Sequence, residues 1–271
     1  MLISNDDYEY RGLMAEMWDF FRGDTSQWED RFFYLECVRL YGQPVLDVGC
    51  GTGRILLDFL NQGIDIDGVD NSPEMLELLR RKAAQADLQP RIYHQVMEGL
   101  SLTRNYQLIL VPSSSFQLLL EPEKPAQAMQ RFYEHLIPGG RLVMPFMDLW
   151  KLDYEKLPPP YESSWSREKV RQSDGAIVRR TSSARYDPES QLEHTEEFYE
   201  IILNGNVVAA ERHRKSPATR SYNQQQAVEL YRQAGFEDIQ MYKEFKFPFQ
   251  PADPEDFVFT IIGKKPEGIS T

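Results

Sequence analysis

The stretch Pro44-Val45-Leu46-Asp47-Val48-Gly49-Cys50-Gly51-Thr52-Gly53-Arg54 constrains the fold more than any other part of this 271-residue chain. Val45, Leu46 and Val48 around Asp47 read as a short strand with no exposed face, which suits a sheet covered on both sides. Three glycines at alternate positions then turn the chain into a helical segment. Glycine adopts left-handed backbone angles without a Cβ clash and lets main chain lie against a ligand. The free amides of the following helix favour negative charge at the same place. A second apolar segment, 64–69, runs into Asp70, where a carboxylate can accept hydrogen bonds from a ribose. Strand, glycine turn, helix and acidic strand end predict an α/β sheet that binds an adenosine-containing ligand.

Glycine spacing separates two ligand classes. A dinucleotide fingerprint is G-x-G-x-x-G/A, whose last small residue lets helix pack on strand. Counted from Gly49, that position is Arg54, long and charged. The alternate glycines suit instead a ligand without a pyrophosphate, whose amino-acid end lies along the loop. An NAD(P)-dependent oxidoreductase is therefore the alternative reading. The run Val45 to Gly53 resembles the first motif of class I S-adenosylmethionine-dependent methyltransferases.

Bulk properties narrow the field. The length accommodates one large α/β domain with an insertion, and 41% hydrophobic with 27% charged residues is a globular composition. No run reaches the roughly 18 apolar residues of a membrane helix. The start, Met-Leu-Ile-Ser-Asn-Asp-Asp-Tyr, lacks a secretion signal, so a cytoplasmic location is expected. Cys37 and Cys50 suggest neither a disulfide framework nor a metal site. A net charge of -12 argues against a nucleic-acid substrate, which needs clustered Lys and Arg.

Along the chain, residues 12–41 read as helix broken near Gly23-Asp24-Thr25. They carry Trp18, Phe20, Phe21, Trp28, Phe32, Phe33 and Tyr34. This is a helical flap with an aromatic stripe, one or two rings of which are candidates to close over the ligand. Strand 44–48, helix 53–61, strand 64–69, a helix from Ser72-Pro73, strands 91–95 and 107–111, helix 124–136 and strand 140–146 follow as a run of five βα units. Lys156 to Tyr161, with three prolines, reads as a rigid connector. An antiparallel meander of about three strands is expected at 176–186, 192–202 and 206–214, with Asn204-Gly205 as a hairpin turn. Helix 223–234 and strands near 237–243 and 256–263 return to the sheet.

This layout resembles the class I methyltransferase fold nearly throughout. The resemblance implies a Rossmann-like, seven-stranded, mostly parallel sheet with an antiparallel last strand, plus the helical flap and a β-meander insertion. Three segments are expected: a cofactor-binding core at 1–150, a β-rich substrate cap at 151–222, and a C-terminal return at 223–271. Residues 28–54 and 107–120 resemble a small-molecule subgroup that inserts β-structure after strand five; in amino-sugar N-methyltransferases similar inserts cover the acceptor.

Carried over, the pattern assigns Gly49, Cys50 and Gly51 to the loop around the methionine moiety. It has Asp47 orient the ammonium, Asp70 accept from the ribose, Asn71 and Met75 flank the adenine, and Met97 meet its ring. Two positions depart from it. Val96 stands where an acidic residue often contacts the adenine amino group, with Glu98 a candidate substitute, and Gln107 stands where an aspartate commonly begins strand four.

Transfer from a sulfonium is an in-line displacement that chiefly needs alignment in a dry cavity. No catalytic residue is therefore legible. Ser113, Ser114, Ser115 and Phe116 follow the fourth strand and should border the acceptor. His213, Arg220 and Tyr222 close the insertion and are further candidates. Four histidines without a His/Cys/carboxylate cluster make a metal unexpected. The expected protein is a monomer or homodimer methylating an N or O atom of a small molecule with S-adenosylmethionine. A binder that retains the nucleoside site without turnover is the remaining alternative.

Overall fold

The computed structural model describes residues 10–150 and 161–268. Most of the connector expected at 156–161, and the first nine residues, lie outside the described residues. Helices α1 (Gly12–Glu16), α2 (Trp18–Arg22) and α3 (Glu29–Tyr41) precede the first strand, with the expected break after α2 at Gly23. Strands β1 (Val45–Val48), β2 (Ile66–Asp70), β3 (Arg91–His94), β4 (Tyr106–Leu110) and β5 (Leu136–Met147) then alternate with α4 (Arg54–Asn61), α5 (Pro73–Gln85) and α6 (Lys124–His135). Only a 3-10 turn, Met97–Gly99, lies between β3 and β4, so the expected run of five βα units is incomplete there.

Four antiparallel strands follow: β6 (Glu162–Val170), β7 (Ile177–Asp187), β8 (Leu192–Leu203) and β9 (Asn206–Arg220). Helix α7 (Gln224–Gln233) and strands β10 (Glu237–Lys243) and β11 (Val258–Lys264) end the chain's regular structure. The main sheet has the order β10-β11-β5-β4-β1-β2-β3, and β11 runs antiparallel to both neighbours. This is the seven-stranded sheet expected from the sequence.

Every residue of β1 and β2 is buried, as strands covered on both faces must be. Leu46, Val48, Ile109 and Phe132 pack on one side of the sheet, and Val45, Leu56, Leu79 and Leu108 on the other. Each such side chain contributes about 1.5–3 kcal/mol on burial. The register pairs Asp47 with Leu110 and Val48 with Val69, so the carboxyl ends of β1, β2 and β4 lie side by side. Ser72 caps α5 by accepting from the Met75 amide at 3.1 Å, and Pro73 follows at the first helical position.

The second sheet has four strands where about three were expected. The unforeseen one, β6, is exposed at nearly every residue and shows no apolar alternation. The Asn204-Gly205 hairpin forms as expected, both residues with positive φ. Met14 of α1, Met17 between the helices and Phe21 of α2 pack on Val178, Tyr199 and Ile201 of this sheet and on the adjoining Ala176. Among the described residues no helix is long and apolar enough to cross a membrane.

Candidate functional site

The glycine turn gathers at the carboxyl end of β1. Gly49, Gly51 and Gly53 have φ of 72°, 53° and 85°. The Gly49 and Cys50 amides donate to Val69 O at 2.8 and 3.1 Å, tying the turn to β2. A Cβ on Gly49 would lie 2.7 Å from Ser115 Oγ, whereas one on Gly51 would meet no atom within 4 Å. The turn is thus locked at its first glycine and open at its second.

Two carboxylates flank that opening. Asp70 accepts the Gly51 amide through Oδ2 and the Ser72 amide through Oδ1, each at 2.8 Å. Burial raises its carboxyl, while these backbone bonds and His94 oppose the rise. Asp47 is 1% exposed, and its Oδ1 is buried without a hydrogen-bond partner. Burial pushes its carboxyl up to about 7; Arg54 pulls the other way and Asp70 adds to the rise. Tyr34 Oη is a second buried atom without a partner. The Cys50 thiol is raised well above its usual range by burial, which makes it an inert packing group.

The other sequence candidates divide. Asn71 O faces His94 Nε2 at 3.0 Å, and Met75 is 1% exposed behind the Ser72 cap. Met97 opens the 3-10 turn and packs on the core, and Glu98 lies 3.4 Å from Lys124. Ser113 has φ 59°, and Ser115 Oγ donates to Pro112 O at 3.0 Å while abutting Gly49; Ser114 lies between them. Phe116 and Tyr222 are buried against one another and Phe146, with ring centroids 5.7–6.1 Å apart, so their rings belong to the core behind the site. The Arg220 guanidinium is bound to Leu120 O. His213 lies on the second sheet, edge-on to Tyr199. Its Nε2 is 3.2 Å from Glu211 Oε1 but lacks hydrogen-bond alignment and has no other partner.

Sequence reasoning missed how α1 and α2 strap the turn to the second sheet. On the core side, Ser72 Oγ donates to Tyr10 O at 2.6 Å, Glu74 accepts the Gly12 amide at 2.7 Å, and Thr52 Oγ1 donates to Asp19 at 2.7 Å. On the sheet side, Glu211 accepts the Leu13 amide at 2.6 Å, and Lys169 Nζ donates to Phe20 O and Phe21 O at 3.0 and 2.9 Å. Further along the sheet, Glu197 accepts from both Arg180 and the Tyr199 hydroxyl, and the Arg180 guanidinium lies 4.9 Å from the Trp165 ring. The residues of the strap are far apart in the chain, and local sequence carries no signal for such pairs.

Residues 45–140 match a family described as a methyltransferase domain. This segment, residues 45–140, is a methyltransferase domain. The chain is 32% identical over 139 residues to a dTDP-3-amino-3,4,6-trideoxy-alpha-D-glucopyranose N,N-dimethyltransferase of Streptomyces venezuelae, covering 51% of this chain and 53% of the relative. It is 25% identical to the dTDP-3-amino-3,6-dideoxy-alpha-D-glucopyranose N,N-dimethyltransferase of Streptomyces fradiae over 218 residues, covering 72% and 79% of the two chains. The chain spans little more than half the length of the first curated relatives it matches. In fold it is similar to an S-adenosylmethionine-dependent methyltransferase from Clostridium acetobutylicum, with a TM-score of 0.75, 16% identity, and coverage of 94% of this chain and 98% of that one.

The cofactor of this family is S-adenosylmethionine, and the site fits it. The unpartnered Asp47 oxygen is an acceptor suited to an ammonium, and the side-chain-free space at Gly51 admits main-chain approach. Asp70, which already accepts from Gly51 in the turn and from Ser72 at the start of α5, retains carboxylate lone pairs for ribose hydroxyls.

Proposed function

We propose that the protein transfers a methyl group from S-adenosylmethionine to the nitrogen of a small amine, with residues 151–222 covering the acceptor. One observation carries this reading: the buried Asp47 carboxylate, whose Oδ1 has no partner, together with the open space at Gly51. The two dTDP-amino-sugar N,N-dimethyltransferases among its relatives support nitrogen over oxygen as the acceptor atom and an amino sugar as the substrate class.

S-adenosylmethionine, when bound, supplies an electrophilic sulfonium methyl. The chain's own residues hold and align. Asp47 and the turn at Gly49, Cys50 and Gly51 fix the amino-acid end, and Asp70 fixes the ribose. Asn71, Met75 and Met97 border the base. Such positioning supplies several kcal/mol of the barrier lowering without acid–base chemistry. Ser113 to Ser115, on the loop after β4, face the acceptor side. The strap of α1 and α2 excludes water from the transfer zone. An amine needs a free lone pair, and one that arrives neutral requires no dedicated base.

The test has two stages. Thermal shifts with S-adenosylmethionine, S-adenosylhomocysteine and NAD identify the cofactor, because a ligand bound to the folded state raises the melting temperature. Mass spectrometry of a panel of nucleotide-linked amino sugars and simple amines then identifies methylated products. Stabilisation by NAD alone, or methylation of hydroxyls and of no amine, overturns the proposal.

A further inference from the structure

Glu193 stands on the covered face of the second sheet with two aromatic rings beside it. It pairs with Tyr186 in register, as Tyr199 pairs with Arg180 and Ile201 with Val178 further along the same strands. Side chains alternate along a strand, so Glu193, Glu197, Tyr199 and Ile201 share one face, the face that α1 and α2 cover. The two carboxylates on it differ in their company. Glu197 holds Arg180 and the Tyr199 hydroxyl. Glu193 accepts the Trp150 indole N–H at 2.7 Å and, among the described residues, makes no ion pair. Burial raises its carboxyl and Glu197 adds to the rise, against the Trp150 bond and His194. A half-buried carboxylate without a counter-charge is unfavourable, and a cationic ligand relieves it. The Trp150 and Tyr186 rings lie 4° from parallel with centroids 6.1 Å apart, one aromatic wall next to the carboxylate. An anion and an aromatic face together suit an alkylammonium group.

Contacts lead from the glycine turn to this group along the ends of β4 and β5. Ser115, on the loop after β4, abuts Gly49. Gln117 on the same loop is bound to both the amide and the carbonyl of Met147, and to Arg220 O. Met147 ends β5, and Trp150 just beyond it reaches Glu193. Glu193 therefore stands where the second sheet meets the carboxyl ends of β4 and β5, the side bordered by Ser113 to Ser115. Transfer creates a cation there. The nitrogen lone pair forms the N–C bond, the S–C pair stays on sulfur, and the positive charge passes from sulfur to nitrogen. The nitrogen then loses its proton to water.

We propose that Glu193, with the Trp150 and Tyr186 rings, binds the alkylammonium group of the acceptor and of its methylated product. This rests on the amine-acceptor reading above. It makes Glu193 a specificity-determining residue, outside the segment 45–140 that matches the methyltransferase family.

The probes are choline and its uncharged isostere 3,3-dimethyl-1-butanol, titrated into the full chain with excess S-adenosylhomocysteine. The readout is the indole N–H resonance of Trp150, assigned by its loss in Trp150→Phe. Choline should shift it with an affinity at least about tenfold above that of the alcohol. Glu193→Gln removes the charge and keeps an acceptor for the Trp150 indole. It should bring choline down to the level of the alcohol, keep S-adenosylhomocysteine within about twofold, and leave the ligand-free melting temperature unchanged or raised. Equal affinity for the two probes, or choline binding that survives Glu193→Gln, overturns this proposal alone. Methylation of hydroxyls and of no amine overturns the amine reading, and the proposal with it, whatever choline does.

Discussion

Cofactor affinity should depend on pH through Asp47. In the free protein burial pushes this carboxyl up to about 7 from 3.8, so at pH 6 most molecules hold it protonated. A protonated carboxyl is a poor partner for an ammonium. Binding must therefore expel a proton wherever the pH lies below about 7. If the bound form is fully ionised, affinity for S-adenosylhomocysteine at pH 6 is about tenfold below its plateau, and at pH 5 about a hundredfold. The same shift bears on the ligand-free fold. A carboxyl raised on folding favours the folded state at low pH, and that contribution is lost as pH rises from about 4 through about 7. A rise from 3.8 to about 7 sets a ceiling of about 4 kcal/mol on the loss. Asp47→Asn should therefore stabilise the ligand-free protein at pH 7.5, weaken the cofactor, and flatten the pH dependence. Titration calorimetry between pH 5 and 7.5, in buffers of different ionisation enthalpy, counts the protons released. Arg54 and Asp70 face the same group, and the Asn variant separates its proton from theirs. Affinity that is flat or falls with pH in the wild type, or a slope that survives in Asp47→Asn, refutes the reasoning.

Three further substitutions probe the turn and the strap. Gly51→Ala meets no protein atom and pays only for a left-handed angle, so denaturant melts should show a loss of about 1–2 kcal/mol while cofactor affinity falls at least tenfold. Gly49→Ala drives a methyl into Ser115 Oγ and should cost about 2–3 kcal/mol in the same melts, part of it recovered by Ser115→Gly. Phe21→Ala removes the ring that joins α2 to Tyr199 and should cost about 3 kcal/mol, with hydrogen exchange rising in α2 and β8 ahead of the main sheet.

The legible parts of this fold are those whose physics is local. Gly49, Gly51 and Gly53 announce a turn because each adopts an angle that only glycine takes cheaply, and all three have positive φ. The Ser72-Pro73 start of α5 and the Asn204-Gly205 hairpin are readable for the same reason. Strand β6 was not, because both its faces are exposed and its sequence, Glu-Ser-Ser-Trp-Ser-Arg-Glu-Lys-Val, has no period to detect. Phe116 read as a residue bordering the acceptor, yet a ring in the loop after β4 can turn into the core as easily as into the cleft.

The strap shows why the rest of the site is silent in sequence. Trp18, Phe21 and Trp28 look alike in an aromatic helical stretch, but Phe21 is buried against the second sheet while Trp28 is 38% exposed beside Arg22. What separates them is the placement of α1 and α2, fixed by Thr52, Ser72, Glu74, Lys169 and Glu211, which stand far along the sequence. The contacts run to both sides at once, from the glycine turn to the inner face of the second sheet. A ligand seated on the glycine turn would tighten α2 on it through Thr52 and Asp19, and through Phe21 and Lys169 would also steady the second sheet. Donor should therefore bind before acceptor. Product-inhibition kinetics check this: S-adenosylhomocysteine should compete with S-adenosylmethionine and be noncompetitive toward the amine, and the opposite pattern would mean that the strap does not couple the two sites.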